Sequence, residues 1–173
     1  NVGLQETEPT LRKALAIGAD KAIRINIEPT DSSVVAKSIS DYISDNSYDL
    51  IIAGRESIDY NGGMVPGMIS ALTKINFIDK CIDLNISENS VLASREIDGG
   101  VEKISTSLPL IIGGQKGLVE ENDLKIPNMR GIMMARKKEL LVLDPGDYSD
   151  TLETDNFEKP EPKGEVTLVS PNE

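Results

Sequence analysis

The chain has 173 residues, a net charge of −11, 39% hydrophobic and 3% aromatic residues, one cysteine and no histidine. This length and hydrophobic content suffice for one domain with an appendage. Without histidine the chain lacks Ser/His and Cys/His nucleophilic pairs and the usual zinc ligands, which excludes most hydrolases. The acidity and the scarcity of aromatic rings predict that nucleic acid is not a partner.

The sequence shows no membrane or secretory segment. No apolar run approaches the length that spans a bilayer, and the first residues do not form a basic-then-apolar signal sequence. Cys81, the single cysteine, cannot form an intrachain disulfide and is interpreted as a small core residue. We therefore expect a cytoplasmic or similarly reducing location and no direct membrane insertion.

The chain opens with a predicted helix followed by a strand. Thr7 is a candidate N-cap of a helix that has Leu11 and Leu15 on one face, and Gly18 is its stop signal. Residues 22–27 alternate as in a half-buried strand with its isoleucines on one side.

A second helix is predicted to begin at Asp31 or Ser32. Its apolar residues at helical spacing are Val35, Ile39, Tyr42 and Ile43. Residues 50–53 then form a short apolar run, typical of a central parallel strand, and another helix is expected to begin near Met64. Together these elements predict a parallel α/β layer.

The pattern then changes to antiparallel hairpins before it returns to apolar strands. The strand-like segments are residues 77–86, 91–97, 101–105, 108–112 and 140–143. The Asp-Gly-Gly turn at residues 98–100 is a strong hairpin signal, because tight turns need positive φ. Residues 115–125 are interpreted as a polar loop. Residues 127–138 are interpreted as a loop entering a short helix, with its three final basic residues placed against the C-terminal dipole of that helix.

Two regions are expected from this pattern. Residues 1–146 are predicted to form an α/β domain with a parallel sheet and an antiparallel hairpin extension. Residues 147–173 are acidic and contain prolines and few apolar side chains, so they cannot form their own core. We interpret them as an extended C-terminal arm that docks on a partner, with a disordered tail as the alternative. The candidate docking residues of the arm are Val166, Leu168 and Val169.

The polar loop of residues 54–63 is the strongest candidate site. It follows a predicted parallel strand, and open α/β sheets bind ligands beyond the carboxyl ends of their strands. Gly54, Gly62 and Gly63 let the backbone bend and approach a ligand, and amides at the start of the next helix can meet a phosphate. An ordinary turn is the alternative, because runs of Gly, Asn and Asp also make turns.

Four segments carry a resemblance to a known family. They are residues 6–20, the loop of residues 54–63, the segment REIDGGVE at residues 95–102 continuing to Leu108 and Pro109, and KIPNMRGIMMARKK at residues 125–138. In order and spacing they resemble the β subunit of electron transfer flavoproteins across nearly the whole chain. The segment at residues 95–102 is the strongest single match.

The resemblance implies a Rossmann-like fold that binds an adenine nucleotide and pairs with an α subunit, which holds the redox FAD. It implies AMP in the cleft of the β subunit, or a second FAD in the electron-bifurcating branch. The implied nucleotide contacts are Val2, Gly3, Ala53, Gly54, Asp59 and Tyr60, with phosphate amides from Asn61, Gly62, Gly63, Met64 and Val65. The opening strand and C-terminal helix of the family have no counterpart in this sequence, so we expect a truncated chain.

One departure from the family concerns the phosphate. Where family members commonly have Gln-Val-Gly or Gln-Thr-Gly, this chain has Met64, Val65 and Pro66. The change removes a polar side chain, and Pro66 lacks a backbone donor, although proline is well tolerated in the first helical turn. The sequence therefore predicts a weaker phosphate site that uses backbone amides alone.

The resemblance also implies a partner surface. Its residues are Arg95, Glu96, Ile126, Pro127, Asn128, Met129, Arg130, Gly131, Ile132 and Met133. Met129 aligns with the anchoring leucine of the family's recognition loop and is expected to dock flavin-dependent dehydrogenases. A loop residue folded onto its own domain is the alternative. Arg95 and Glu96 are interpreted as interface or cofactor-adjacent charges, with a weak cross-strand surface pair as the alternative.

The leading hypothesis is an electron carrier subunit rather than an enzyme. It would pass electrons from flavin dehydrogenases to a membrane or soluble acceptor, in the cytoplasm or, in a eukaryote, the mitochondrial matrix. The alternative is an ATP-binding regulatory module of the universal stress protein type, which leaves residues 95–102 and 127–138 unused. A nucleotide-dependent transferase or pyrophosphatase is disfavoured, because no histidine or metal-binding carboxylate cluster accompanies the loop.

Overall fold

The computed structural model describes residues 1–58 and 61–164. In this part of the chain the helices are α1 (Glu8–Ile17), α2 (Ser32–Asp45), α3 (Val65–Thr73) and α4 (Met129–Ala135). The strands are β1 (Ala22–Ile25), β2 (Leu50–Gly54), β3 (Asn76–Ser87), β4 (Ser90–Ile97), β5 (Gly100–Ser107), β6 (Leu110–Gly114) and β7 (Leu140–Leu143). Within the described ranges, every helix is too short or too polar to cross a membrane.

The strands form one large and one small sheet. The large sheet has the order β2-β6-β3-β4-β5, in which β2, β6 and β3 are parallel and β3, β4 and β5 are antiparallel. β1 and β7 pair in parallel in the small sheet, and Val2 adds a parallel bridge to Ile25. The predicted α/β class is confirmed: helices alternate with parallel strands in a Rossmann-like manner, and the hairpins extend the large sheet.

In the large sheet β6 lies between β2 and β3, and its side chains alternate between two apolar clusters. Leu110 and Ile112 pack with Cys81 on one side, while Ile111 packs beneath α2 and α3 on the other. Cys81 is a buried core residue as predicted, and burial raises the pKa of its thiol. α1 and α4 cover the small sheet around Leu15.

The helix boundaries follow the predicted signals, with one difference. Gly18 ends α1, and the Asp31 carboxylate caps α2 by accepting the Val34 amide at 2.8 Å. Thr7 precedes α1 but does not cap it with its side chain. Its hydroxyl donates to the Leu4 carbonyl at 2.8 Å, because a 3₁₀ turn leads into the helix.

The alternation predicted for the first strand is wrong. β1 ends at Ile25, and Arg24 is buried with an exposed fraction of 5%. Nη2 of Arg24 pairs with Glu8 at 3.2 Å, and Nη1 donates to the Gly3 carbonyl at 3.1 Å and to the Asn26 side chain at 2.6 Å. These partners compensate the desolvation of the guanidinium, so a charged side chain occupies a core-facing position.

α2 buries more than its predicted face. Ile39 and Ile43 of that face are partly buried and pack against the cluster of Ala36, Ile69 and Ile111. The buried residues of α2 are Ser33, Val34, Ala36, Ser38 and Ser40. The Ser38 hydroxyl donates to the Val34 carbonyl at 2.7 Å, which satisfies it inside the helix. This bond explains how Ser38 can pack inward, whereas the buried Ser40 hydroxyl has no hydrogen-bond partner among the described residues.

The second strand is parallel but not central. In the described chain β2 pairs with β6 alone, and Ile52 has an exposed fraction of 61%. A run of four apolar residues predicts burial on both faces, but it carries no information on which strands lie beside it.

Residues 144–164 contain neither helix nor strand. The Thr151 amide and hydroxyl donate to the Asp31 carboxylate at 2.6 and 2.9 Å, and the Tyr148 hydroxyl donates to Asp41 at 2.6 Å. The first part of the arm therefore contacts α2 of its own domain, and its docking on a partner stays a prediction. The candidate docking residues Val166, Leu168 and Val169 lie outside the described residues.

Candidate functional site

The loop that joins β2 to α3 lies at the carboxyl end of the parallel strands. Ala53 and Gly54 end β2 in register with Gly113 and Gly114 of β6, and α3 begins at Val65. The described parts of this loop, residues 54–58 and 61–63, therefore lie along the sheet edge at which open α/β sheets hold ligands.

The two ends of this loop approach each other closely. The Ser57 amide donates to the Gly62 carbonyl at 2.8 Å, and a Cβ added to Gly63 would lie 3.3 Å from the Arg55 carbonyl oxygen. Asn61 has a φ of 51°, in the left-handed region that asparagine tolerates better than most residues. Gly63 is thus placed where a side chain would push the two arms of the loop apart.

α3 presents its first amides at the end of this loop. The N–H groups of a first helical turn have no acceptor within the helix, and they attract anions. Pro66 is buried at the second helical position and supplies no N–H, whereas the Met64 carbonyl accepts the Met68 amide at 3.0 Å. The donors that this turn can offer to a ligand are the amides of Met64, Val65 and Gly67, and the Gly63 amide lies just before them.

Arg55 is a cation at the start of the loop, and it is held by two neighbours. Its Nη2 pairs with Glu56 at 3.3 Å, and its Nη1 donates to the Gln115 side-chain oxygen at 3.1 Å. Gln115 in turn donates through Nε2 to Glu96 at 2.7 Å and through its amide to the Cys81 carbonyl at 2.9 Å. A chain of polar contacts therefore links the loop to the hairpin.

Sequence reasoning missed Arg55 and Gln115 as parts of the site. A signal for both was present, because each is the first residue after a strand that ends at the same sheet edge. The pair is 60 residues apart, so only the parallel pairing of β2 with β6 brings them together.

Arg95 forms a cross-strand pair on the hairpin. Its Nε donates to Glu102, the residue opposite it on β5, at 2.6 Å, and its Nη1 pairs with Asp79 of β3. The hydrogen bonds to Glu102 and Asp79 raise the pKa of Arg95 above the usual value of an arginine. This is the surface pair that the sequence left open as an alternative, and Glu96 beside it contacts Gln115.

Val2 and Gly3 belong to the small sheet. The Gly3 amide donates to the Ile25 carbonyl at 3.1 Å, and the Gly3 carbonyl accepts Arg24. Among the described residues, no hydrogen bond joins Val2 or Gly3 to the loop of residues 54–63. The structure thus gathers part of the predicted nucleotide site on the large sheet and part on the small one. The predicted residues Asp59 and Tyr60 lie outside the described residues.

The predicted partner segment forms the last loop and α4. Asn128 caps α4 by accepting the Gly131 amide at 2.8 Å. Ile126, Met129 and Met133 have exposed fractions of 82%, 75% and 64%. These three side chains, called here the α4 apolar surface, therefore project away from their own domain. Apolar side chains exposed together in this way commonly mark a protein contact.

The residues of the loop fit a phosphate group. A close backbone approach at Gly63, the first amides of α3 and the Arg55 guanidinium each favour an anion. Met64 and Pro66 add no polar group, and the weaker phosphate site expected from the sequence stays a prediction. The arrangement can bind and orient an anionic ligand.

Comparison with known proteins gives a consistent set of matches. The family model described as "Electron transfer flavoprotein domain" matches residues 1–147. The "Electron transfer flavoprotein subunit beta" of Bacillus subtilis is 38% identical over 166 residues, or 94% of this chain. Proteins of the same name from Dictyostelium discoideum and Mycobacterium tuberculosis are 32% and 30% identical over 84% and 82% of this chain. The chain spans 62%, 57% and 53% of the lengths of these three relatives.

Proposed function

The chain belongs to the electron transfer flavoprotein family, and from that premise we propose that it acts as the β subunit of a heterodimeric electron carrier. The resemblance of the four sequence segments is confirmed by the family match over residues 1–147. The matched region includes residues 95–102 and 127–138, which a universal stress protein would leave unused. That alternative is therefore set aside.

The loop between β2 and α3 is the observation that carries the nucleotide part of the proposal. The close approach of the two ends of the loop, the first turn of α3 and the Arg55 guanidinium support an adenine nucleotide at this edge of the sheet. The nucleotide is either AMP or a second FAD. The proposed contacts are Val2, Gly3, Ala53, Gly54, Asp59, Tyr60, Asn61, Gly62, Gly63, Met64 and Val65. In this proposal the α subunit holds the redox FAD, which supplies the electron chemistry when bound, and this chain orients the nucleotide and the partner.

The α4 apolar surface supports a docking role. Met129, exposed at the first position of α4, is proposed to contact flavin-dependent dehydrogenases that donate electrons. Electron transfer needs proximity of two cofactors rather than an acid or a base, so the proposed role requires no bond-making residue in this chain. The acceptor is a membrane-bound or soluble protein.

Co-expression with the large subunit tests the proposal. The complex is purified, its nucleotides are released by heat and identified by mass spectrometry, and a flavin spectrum is recorded. One FAD with one AMP is expected for an ordinary carrier, and two FAD for a bifurcating one. A stable monomer that releases only ATP would overturn the electron-transfer role.

A second measurement tests docking separately. In the purified complex, Met129→Ala is expected to slow dehydrogenase-dependent flavin reduction by about tenfold or more, as for a central apolar contact. Met134→Ala is the matched control, because Met134 is an exposed methionine of the same helix outside the proposed contact set. Equal rates in the two variants contradict the docking role of Met129.

A further inference from the structure

A groove lies between α1 and α4, beside the α4 apolar surface. Its cavity volume is about 520 Å³. The apolar lining residues are Pro9, Ala16, Pro127, Ile132 and Ala135, and the cationic ones are Arg12, Lys13 and Arg136. The groove thus combines an apolar floor with positive charge at its sides.

The walls of the groove are held in place by main-chain contacts. A Cβ on Gly131 would lie 2.4 Å from the Ala16 carbonyl oxygen, so α4 touches the backbone of α1 at this point. Nη1 of Arg12 donates to the carbonyls of Ala135 and Lys138 at the end of α4, both at 2.9 Å. A groove fixed in this way loses little conformational freedom when a ligand enters it.

The charge of the groove differs from that of the rest of the chain. The whole chain has a net charge of −11, yet the three charged residues that line this cavity are all basic. In the described part of the chain none of Arg12, Lys13 and Arg136 forms an ion pair with a carboxylate. Arg12 already donates to the carbonyls of Ala135 and Lys138, so Lys13 and Arg136 are the two cations available to an acidic group from outside.

The apolar floor continues onto the exposed side of α4. Ile132 lines the groove and also lies one helical turn from Met129 of the α4 apolar surface. A small anion would occupy only the groove and leave the α4 apolar surface exposed. A polypeptide can bury the groove and this surface together.

We propose that the groove receives an acidic segment of a protein partner, which inserts an apolar side chain between α1 and α4 and places carboxylates against Lys13 and Arg136. The proposal adds α1 to the interaction surface and specifies the chemistry of the partner. It does not rest on nucleotide binding or electron transfer, so it can fail while the proposed function stands.

A pair of short synthetic peptides serves as the probe. One has a central phenylalanine between two pairs of glutamates, and the other has lysines in place of the glutamates. Each is titrated into the full chain, and binding is followed by amide chemical shifts and calorimetry. The glutamate peptide is expected to shift the amides of Lys13, Ala16, Ile132 and Arg136, with a Kd that rises about fivefold or more as salt screens the charges.

Two variants separate groove binding from nonspecific attraction. Lys13→Glu combined with Arg136→Glu is expected to weaken the glutamate peptide about tenfold, whereas Lys103→Glu combined with Lys116→Glu, an equal charge change outside the groove, leaves the Kd within about twofold. Ala16→Leu fills the floor and is expected to abolish binding, with circular dichroism as the check on folding.

Three results overturn the proposal. The first is equal affinity for the two peptides, and the second is an unchanged Kd in the Lys13→Glu and Arg136→Glu variant. The third is a medium-chain carboxylate, tested as sodium octanoate, that shifts the groove amides when the glutamate peptide does not. That last outcome identifies a small-molecule site in place of a protein contact.

Discussion

Arg12 in α1 and Lys138 after α4 each bind the carboxyl end of the other's helix. Nη1 of Arg12 donates to the Ala135 and Lys138 carbonyls, both at 2.9 Å. Nζ of Lys138 donates to the Leu15 carbonyl at 3.1 Å and to the Ala19 carbonyl at 2.6 Å. Since the last carbonyls of a helix lack partners and carry partial negative charge, each cation stabilises the helix opposite.

Because Arg12 and Lys138 bind each other's helix ends, we predict that their contributions to stability are coupled. Arg12→Met and Lys138→Met are each expected to lower the free energy of unfolding by about 1–2 kcal/mol, because each leaves helix carbonyls without a donor. The double variant is expected to deviate from additivity by about 0.5–1 kcal/mol. Urea unfolding measures all three variants. Lys13→Met, an exposed neighbour on α1, is the control, and strict additivity would contradict the coupling.

The close contact of Gly131 with the backbone of α1 predicts that a larger residue at this position destabilises the packing of α1 on α4. A Cβ at this position would lie 2.4 Å from the Ala16 carbonyl oxygen, which is backbone and cannot rotate away. Gly131→Ala is therefore expected to lower the free energy of unfolding by roughly 2 kcal/mol. Gly164→Ala is the matched control, because no atom lies within 4 Å of its added Cβ. Similar stability of the two variants would show that α4 can move away from α1 at little cost.

Local signals in the sequence predicted local structure, while partners distant in the chain could not be read from it. Gly18 and Asp31 mark helix ends through backbone geometry and a side-chain cap, and both were predicted. The basic run after α4 was expected to serve the dipole of its own helix. Instead Lys138 serves α1, because folding brings the two helix ends together. The alternation of residues 22–27 gave no sign that Arg24 is buried, because its partner Glu8 comes from another element of the chain.

The candidate site also combines features that neighbouring residues predict with contacts between residues distant in the chain. The position of the loop at residues 54–63 follows from a strand, a glycine and a helix start, all adjacent in the sequence. Its support by Gln115 does not, because Gln115 follows a different strand and lies 60 residues from Arg55 along the chain. The position of this loop is thus easier to predict than the side chains that hold it in place.

The hydrogen bonds of Gln115 predict that this residue links the loop of residues 54–63 to the hairpin of β4 and β5. Gln115→Ala removes the hydrogen bonds to Arg55 and Glu96, so the loop is expected to lose its attachment to the hairpin. In the co-expressed complex we expect nucleotide affinity to fall about threefold to tenfold, with faster amide exchange over residues 54–58. Lys116→Ala, the next residue along the chain, is the control. Unchanged exchange in the loop would contradict the link.

The hydrogen bonds to the Asp31 carboxylate predict that this residue fixes the start of the C-terminal arm against α2. Its carboxylate accepts the Val34 amide within α2, and also the Thr151 amide and hydroxyl and the Leu152 amide at 2.6, 2.9 and 3.2 Å. Asp31→Asn retains a good cap for α2 but removes the charge that the arm donors share. Hydrogen exchange is expected to accelerate at Thr151 by about tenfold, while α2 stays protected. Asp45→Asn, at the other end of α2, is the control.

The same carboxylate predicts a pH dependence. Burial raises the pKa of Asp31, but hydrogen bonds from Val34, Thr151 and Ser33 outweigh burial and lower the pKa from 3.8 to about 2. Because the folded-state pKa is below the unfolded one, the stability that Asp31 gives is fully present above about pH 4 and is lost as the pH falls through about 2. The Thr151 amide shift should titrate with a midpoint near 2 in the native chain and lose this step in Asp31→Asn. A midpoint near 4 in the native chain would show that the arm does not hold this carboxylate in solution.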